Sequence, residues 1–346
     1  MPISLTAAAD DDGRRLDRIL RKALPDMPLS AIHRLLRKGG VLVDGEKAAI
    51  DYRVKTGQTI TLSSLVPSPQ SLVPIIQSPV PSPQSLFPDI ILFEGAGLLV
   101  LNKPAGLPVH GRESLEGIVR SYLVPKLSPS LSFKPGPLHR LDRPSSGVIA
   151  FSTSLEGARF FSAMMRNRMI KKQYLALVNG VIEKDEVWED ELVRDERQKK
   201  TFRLGIVPGV LRPGEAKTAL TRVSPLAGDG GHTLILAEIE TGRTHQIRVQ
   251  AASRGHPLLG DRKYGGTIYG DVNGDNIRGG FLLHAWRMEF TVKTDEKTDN
   301  DIYGGIPRGL PGGLPPYIEA PLPENFLDKI RNFFGGGIIN KRLSHL

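Results

Sequence analysis

The sequence predicts an α+β fold in two unequal parts: a small α+β domain over residues 14–62 and a larger, mixed, mainly antiparallel domain over 90–295. Three observations carry this. Helical spacing of apolar residues near the N-terminal end gives way at once to a short hairpin pattern. A proline-rich stretch over 63–89 then separates two apolar-patterned regions. Beyond it, alternating runs at 218–223 and 233–240 fit strands of a mixed or antiparallel sheet.

In the small domain, Leu16, Ile19, Leu20, Ala23 and Leu24 repeat at helical spacing until Pro25 breaks the run. Ser30 stands where it can cap a second helix built on Ile32, Leu35 and Leu36. Arg14, Arg15, Arg18, Arg21, Lys22, Arg34, Arg37 and Lys38 face only Asp17 and Asp26, so the helix pair presents one positive surface. Such a surface suits a phosphate backbone, although a plain solvated charged face has the same pattern. Residues 41–43 read as a strand, Asp44-Gly45 as a hairpin turn and 59–62 as the returning strand.

Residues 63–89 hold seven prolines and no lysine or arginine, and 66–74 is nearly repeated at 80–88, differing only at Val73 and Phe87. That composition predicts a semi-rigid linker that tethers without folding. In the large domain, 98–101 reads as a buried strand ending at Lys103, and Ser114 as the cap of a helix through Leu123. A helix is expected over 155–168 with Ala158, Phe161, Met164 and Met165 inward, then a strand over 171–178 carrying Tyr174. Residues 183–200 are charge-dense and read as solvated. A turn at Thr241-Gly242 leads into a helix through about Ser253, and a last strand runs from Leu282 to about Val292. The tail, 296–346, is rich in Gly and Pro apart from a helix expected over 324–334, and its role is not readable.

The chain has 46 Lys and Arg against 37 Asp and Glu, a net charge of +9 and a sequence pI near 9.7. This balance favours a polyanionic partner, and aromatics at 6% favour phosphate contact over a broad stacking platform. Cysteine is absent, which removes thiol nucleophiles and disulfides and fits a cytoplasmic chain. No signal peptide or membrane span is expected. No phosphate loop or dinucleotide fingerprint follows a strand, and the eight histidines show no metal spacing, so neither a metal nor another cofactor is expected. Asp271, Asn273 and Asp275 resemble half a calcium loop, but Asn276 and Leu282 replace its glycine and closing glutamate, leaving a turn.

The chemistry centres on the stretch His139-Arg140-Leu141-Asp142-Arg143-Pro144-Ser145-Ser146-Gly147, which leads into the apolar run 148–151. A carboxylate between two arginines has its pKa lowered, by about 1 to 3 pH units for a close pair, and stays ionised at neutral pH. It is then better suited to be a nucleophile than a general acid, although a surface ion pair is the plainer reading. With metals and nucleotides excluded, an aspartate, arginines and a tyrosine remain: cofactor-free covalent or electrostatic catalysis on a nucleic acid.

The helix, helix, hairpin pattern resembles the αL-type RNA-binding module. His139-Arg140-Leu141-Asp142 with Ser146-Gly147, Lys103-Pro104-Ala105-Gly106 and Lys172-Gln173-Tyr174 resemble the RluA-type pseudouridine synthases. So do 241–248, Gly255-His256-Pro257, Gly260-Asp261 with Tyr264-Gly265, and Leu283-His284-Ala285, in the family's order and spacing. The resemblance implies a cofactor-free isomerisation of uridine in RNA. It implies that Asp142 is the nucleophile, that Arg248 holds it in an ion pair, and that Tyr174 stacks on the uracil and is a candidate acceptor of the C5 proton. Ile247 would pack beneath the base, and Arg140 would fill the space left by the flipped nucleotide. His139, Arg243, His245 and Lys103 are expected among the substrate-binding residues, with Arg15, Arg18, Arg34, Arg37 and Lys38 on the RNA-binding module. Ser145 and Gln250 depart from the family, which more often has Thr and His there. The expected substrate is 23S rRNA, with tRNA as alternative, and the chain is expected to act as a monomer. A non-catalytic assembly factor on the same scaffold is the rival outside enzymology. An Asp-dependent glycosidase is a third reading, which lacks a second carboxylate.

Overall fold

The computed structural model describes residues 3–24, 27–63, 87–111, 113–127, 130–131, 133–205, 216–266, 280–291, 302–303, 306–307, 310–335 and 337. The small domain opens with β1 (Ile3–Thr6), then α1 (Leu16–Ala23) and α2 (Leu29–Arg37). Strands β2 (Val41–Val43), β3 (Glu46–Lys47) and β4 (Thr59–Leu62) follow, in the sheet order β1-β4-β2-β3. Leu16, Ile19, Leu20, Ile32 and Leu36 are the inward helical positions, buried with Val41, Val43 and Ile60. Asp44 and Gly45 both take positive φ, 51° and 87°, as a tight turn matched to strand twist requires. Two expectations change. Pro28, not Ser30, precedes α2 and no side chain caps it. Residues 3–6, outside the expected domain, pair with β4 through all four positions. Pro25 and the linker residues 64–86 lie outside the described residues.

The large domain begins with a turn of 3-10 helix at Pro88–Ile90, then β5 (Ile91–Gly95), β6 (Leu98–Lys103) and α3 (Leu115–Leu123), capped by Ser114. Strand β7 (Gly136–Pro137) and β8 (Ser146–Ser152) enclose the Asp142 loop, and α4 (Leu155–Arg166) follows. Next come β9 (Ile170–Asn179), β10 (Glu186–Asp195), β11 (Lys200–Arg203), β12 (Lys217–Gly228) and β13 (His232–Ile239). Helix α5 (Gln246–Ser253), β14 (Leu283–Phe290), the short pair β15 (Ile302–Tyr303) and β16 (Ile306–Pro307), β17 (Tyr317–Glu319) and α6 (Glu324–Phe334) complete it. The sheet runs β11-β10-β12-β13-β9-β14-β8-β6-β5, with β17 added to β14 and β7 to β8. Its pairs are antiparallel except β14 with β8. There the backbones nearly touch: a Cβ on Gly147 (φ +108°) would sit 2.1 Å from the Ala285 carbonyl oxygen. Only glycine fits, which explains the Ser-Gly pair after Asp142.

Several readings of this half are corrected. Residues 186–195 are a strand, not a solvated segment: Trp188, Asp190 and Leu192 point inward in strict alternation. The inward Asp190 hid that alternation; it is matched by Arg203 at 2.7 Å and Arg254 at 2.8 Å. Helix α4 buries Phe160 and Ala163 beside Phe161 and Met164, and leaves Ala158 and Met165 at its margin. Phe87, inside the expected tether, is 4% exposed, with its ring 4.6 Å from Tyr122. It is one of the two positions that distinguish the repeated segments. The tail also joins the core: β17 pairs with β14, and α6 buries Phe326 and Ile330 among Leu175, Leu177 and Trp286. The half calcium loop lies outside the described residues.

The two domains meet through acidic residues. Asp11 is fully buried and accepts the Leu131 amide at 3.0 Å and the Ser130 hydroxyl at 3.1 Å. Asp10 accepts the Leu155 amide at the start of α4, 3.2 Å away.

Candidate active site

An open cleft lies over the β9-β14-β8 part of the sheet, lined by Asp142, Arg140, Tyr174, Arg243, His245, Ile247 and Arg248, with Ser145 and Ile239. Asp142 comes from the β7–β8 loop, Tyr174 from β9, and the rest largely from the turn into α5. Asp142 is the single acid on this lining. Its Oδ2 accepts a hydrogen bond from Arg248 Nη1 at 2.8 Å and lies 3.9 Å from His245 Nε2. The neighbouring arginines expected to hold it do otherwise: Arg143 donates Nε to the Gly106 carbonyl, and Arg140 is exposed at the rim.

Arg248 is 5% exposed and works as a fork. Nε and Nη2 donate to Asp261 at 2.7 and 2.9 Å, leaving Nη1 for Asp142. The guanidinium lies 4.1 Å from the Phe281 ring centroid and 5.0 Å from that of Tyr264. Burial pulls its pKa down, but hydrogen bonds and charge from Asp261, then Asp142, outweigh this and raise it. Arg248 is therefore a permanent cation between two carboxylates. Asp261, 1% exposed and engaged by both oxygens, is no second catalytic acid.

The turn that aims α5 is strained. His245 precedes the helix in the left-handed region, φ 58° and ψ 24°, which costs a residue with a side chain about 1 kcal/mol or more. Buried Gln246 staples it: Oε1 accepts from the Arg243 amide at 3.0 Å and the Thr241 hydroxyl at 2.7 Å, while Nε2 donates to the Leu220 carbonyl at 3.0 Å. His245 Nδ1 is 2.8 Å from the Tyr264 hydroxyl. Burial, and after it Arg248 working against Asp142, lowers the His245 pKa to about 4, so the ring is neutral at pH 7. Tyr174 is 7% exposed, and burial, then Asp142, raises its pKa. It is a neutral phenol on the cleft wall.

Two expected substrate contacts are not in the cleft. Lys103 is fully buried, donating Nζ to the Pro104 carbonyl at 2.8 Å and the Arg143 carbonyl at 3.1 Å; burial lowers its pKa to about 8. It braces the Asp142 loop from below. His139 turns its ring inward, accepting the Ala150 amide on Nε2 at 3.0 Å and stacking on Phe161, and burial with Lys172 nearby lowers its pKa to about 3. In the small domain Arg18, Arg34, Arg37 and Lys38 are exposed, whereas Arg15 is paired with Asp17 at 3.0 Å. Gln250, where the family more often has His, is fully buried and satisfied by the Trp188 carbonyl, Asp190 and Thr221. Asp261, Gln246 and Phe281 had no role assigned from sequence. Asp261 lay inside a motif, but nothing local marks it as the second partner of Arg248.

Among the described residues no group of His, Cys, Asp and Glu could hold a metal, and no helix is long and apolar enough to cross a membrane. The RNA pseudouridylate synthase family matches residues 97–253, and the S4 domain matches 14–60. Ribosomal large subunit pseudouridine synthase C of Salmonella typhi is 31% identical over 295 residues, covering 82% of this chain and 87% of that protein. The protein of the same name from Escherichia coli K12 is 31% identical over 294 residues, covering 82% and 86%. The solved structure of Human RNA Pseudouridylate Synthase Domain Containing 4 shares the fold, with a TM-score of 0.52 and 22% identity over 72% of this chain and 95% of that one. The chain belongs to the RNA pseudouridylate synthase family, with an S4 RNA-binding domain ahead of the catalytic sheet, and is an RNA pseudouridine synthase, an isomerase.

Proposed function

We propose that this enzyme converts uridine to pseudouridine in the large-subunit ribosomal RNA, 23S rRNA, with Asp142 as nucleophile. The observation that carries the site assignment is the lone cleft carboxylate held on Arg248. The substrate reading rests on the relatives, whose names refer to the large ribosomal subunit, and on the S4 domain.

A uridine leaves its helix at a cost of a few kcal/mol, offset by stacking and backbone contacts. Asp142 attacks the anomeric carbon C1′ as the N1–C1′ bond breaks, and the uracil leaves as an anion. Tyr174 on one side and Ile247 on the other keep the base in place while it turns. C5 then bonds to C1′ and displaces the carboxylate. The C5 proton departs, N1 gains one, and no net co-reactant is consumed. Because Tyr174 holds its own proton firmly, it serves to stack and orient, and the freed Asp142 carboxylate takes the C5 proton. Arg248 keeps Asp142 oriented throughout without becoming a proton donor. Arg140, exposed at the rim, occupies the gap left in the RNA.

Pseudouridine mapping by carbodiimide adduct and reverse-transcription stops, in cells with and without this gene, tests both parts. Discrete stops in 23S rRNA should vanish and return with wild type but not with Asp142→Asn. The variant should bind RNA nearly as well as wild type while losing at least about 10³-fold in turnover. Near-normal turnover would sink the nucleophile, and stops lost only from tRNA would move the substrate.

A further inference from the structure

We propose that Arg194, Lys200 and Lys263 form a phosphate site flanking the cleft on the His245 side, which holds a backbone phosphate of the target strand next to the flipped nucleotide. This rests on the enzyme's RNA substrate and names which part of it the β10–β11 hairpin contacts.

The three cations come from different elements: the end of β10, the start of β11, and the 3-10 turn Arg262–Tyr264. Packing gathers them. Lys263 Nζ donates to the Lys199 carbonyl at 2.6 Å, and Lys200 Nζ lies 5.2 Å from the Tyr264 ring centroid. Tyr264 in turn bonds the Thr201 backbone at both donor and acceptor, and its hydroxyl is 2.8 Å from His245 Nδ1. The hairpin is thus tied to the residue that stands 3.9 Å from Asp142.

Among the described residues the cluster has one carboxylate partner, Glu196, 2.9 Å from Arg194 Nε, with a side chain 78% exposed. Neither Lys200 nor Lys263 makes an ion pair among the described residues. Burial, then Arg248, Arg194 and Lys200, lower the Lys263 pKa, the mark of cations gathered at one spot. A phosphodiester supplies the charge the two lysines lack, and the Arg194 side chain, 28% exposed, adds a third cation to it. RNA presents such groups on either side of any nucleotide that enters the cleft.

Salt titration of binding to an unmodified 23S rRNA transcript tests the site, comparing wild type with the double variant Lys200→Gln/Lys263→Gln. A lost phosphate contact removes about 0.7 to 0.9 from the slope of log K against log salt, and a fall of that size is expected for this one phosphate. The charge-preserving pair Lys200→Arg/Lys263→Arg should restore the wild-type slope, and the single exposed change Lys263→Gln should give half the effect. An unchanged slope in a double variant that melts like wild type overturns the proposal. Pseudouridine formation by wild type on the same transcript reports separately on the rRNA reading, because the slope is read from binding whether or not turnover occurs.

Discussion

The cleft and the helical face of the S4 domain are made from the same residue types in opposite relations to water. In the cleft, Arg248 and Asp261 are buried, each polar atom has one partner, and a strained turn sets the geometry. On the small domain, Arg18, Arg34, Arg37 and Lys38 stand exposed. Buried charges interact strongly and singly, so removing one leaves its partner uncompensated. Exposed charges act by summation and are screened within about 8 Å at physiological salt. The contrast separates placing an atom from attracting a polymer.

The sharpest way to break this comparison is Arg248→Met, which strands two carboxylates. Loss of about 3 to 5 kcal/mol of stability, together with loss of activity, is expected from chemical denaturation and turnover assays. A mild effect on both would mean that the cleft behaves like a surface. Asp261→Asn keeps the shape and removes only the charge that orients the fork. Turnover should fall by up to about 10²-fold with binding little changed, and a raised KM at unchanged kcat would contradict a positioning role.

A third probe asks whether burial also governs the acid response. His284 is fully buried, its Nε2 donating to the Ala320 carbonyl at 3.0 Å and its Nδ1 accepting from the Ser146 hydroxyl at 2.8 Å. Burial lowers its pKa to about 4, from an ordinary value of 6.5. The folded state then binds fewer protons than the unfolded one between these values. The stabilisation is complete above about pH 6.5 and is lost as pH falls towards about 4, on the order of 3 kcal/mol. His284→Gln can keep both hydrogen bonds, so its Tm should change less than the wild type's between pH 7 and pH 4.5. An identical pH profile would assign the acid response to His139 and His245, whose pKa values are also lowered. The smallest effects belong to the S4 face. Arg34→Gln and Arg37→Gln should each flatten the salt slope by about 0.7 to 0.9 and leave kcat alone, and a non-additive pair would mean a specific site instead of a summed field.

Local signals in the sequence carried the small domain almost unaided. Amphipathic spacing, an Asp-Gly turn and short apolar runs are decided within a few residues, and the strands 41–43 and 59–62 appear where expected. The helix at 324–334 was equally legible, but not its purpose. Its burial against β9 and β14 depends on contacts with strands far away in the chain, Leu175 of β9 and Trp286 of β14 meeting Phe326. Strand β10 was missed because an inward Asp190 breaks the apolar alternation, and Arg203, Arg254 and Gln250 make that placement tolerable.

By itself, then, the sequence determined the helices and strands of the small domain, its basic face, and the contiguous motifs that hold Asp142, Tyr174 and Arg248, because helix and turn chemistry is local. Tertiary structure set Arg248, and not the arginines beside it in the chain, on Asp142, the pairing that the family resemblance implied and local charge did not. It also decided that Lys103 and His139 brace the loop from beneath, and that Asp261 holds the other side of the fork. Which side chains meet in a buried site is set by sheet register and chain reversal, and a charge's partner there is whichever group the fold leaves within about 3 Å.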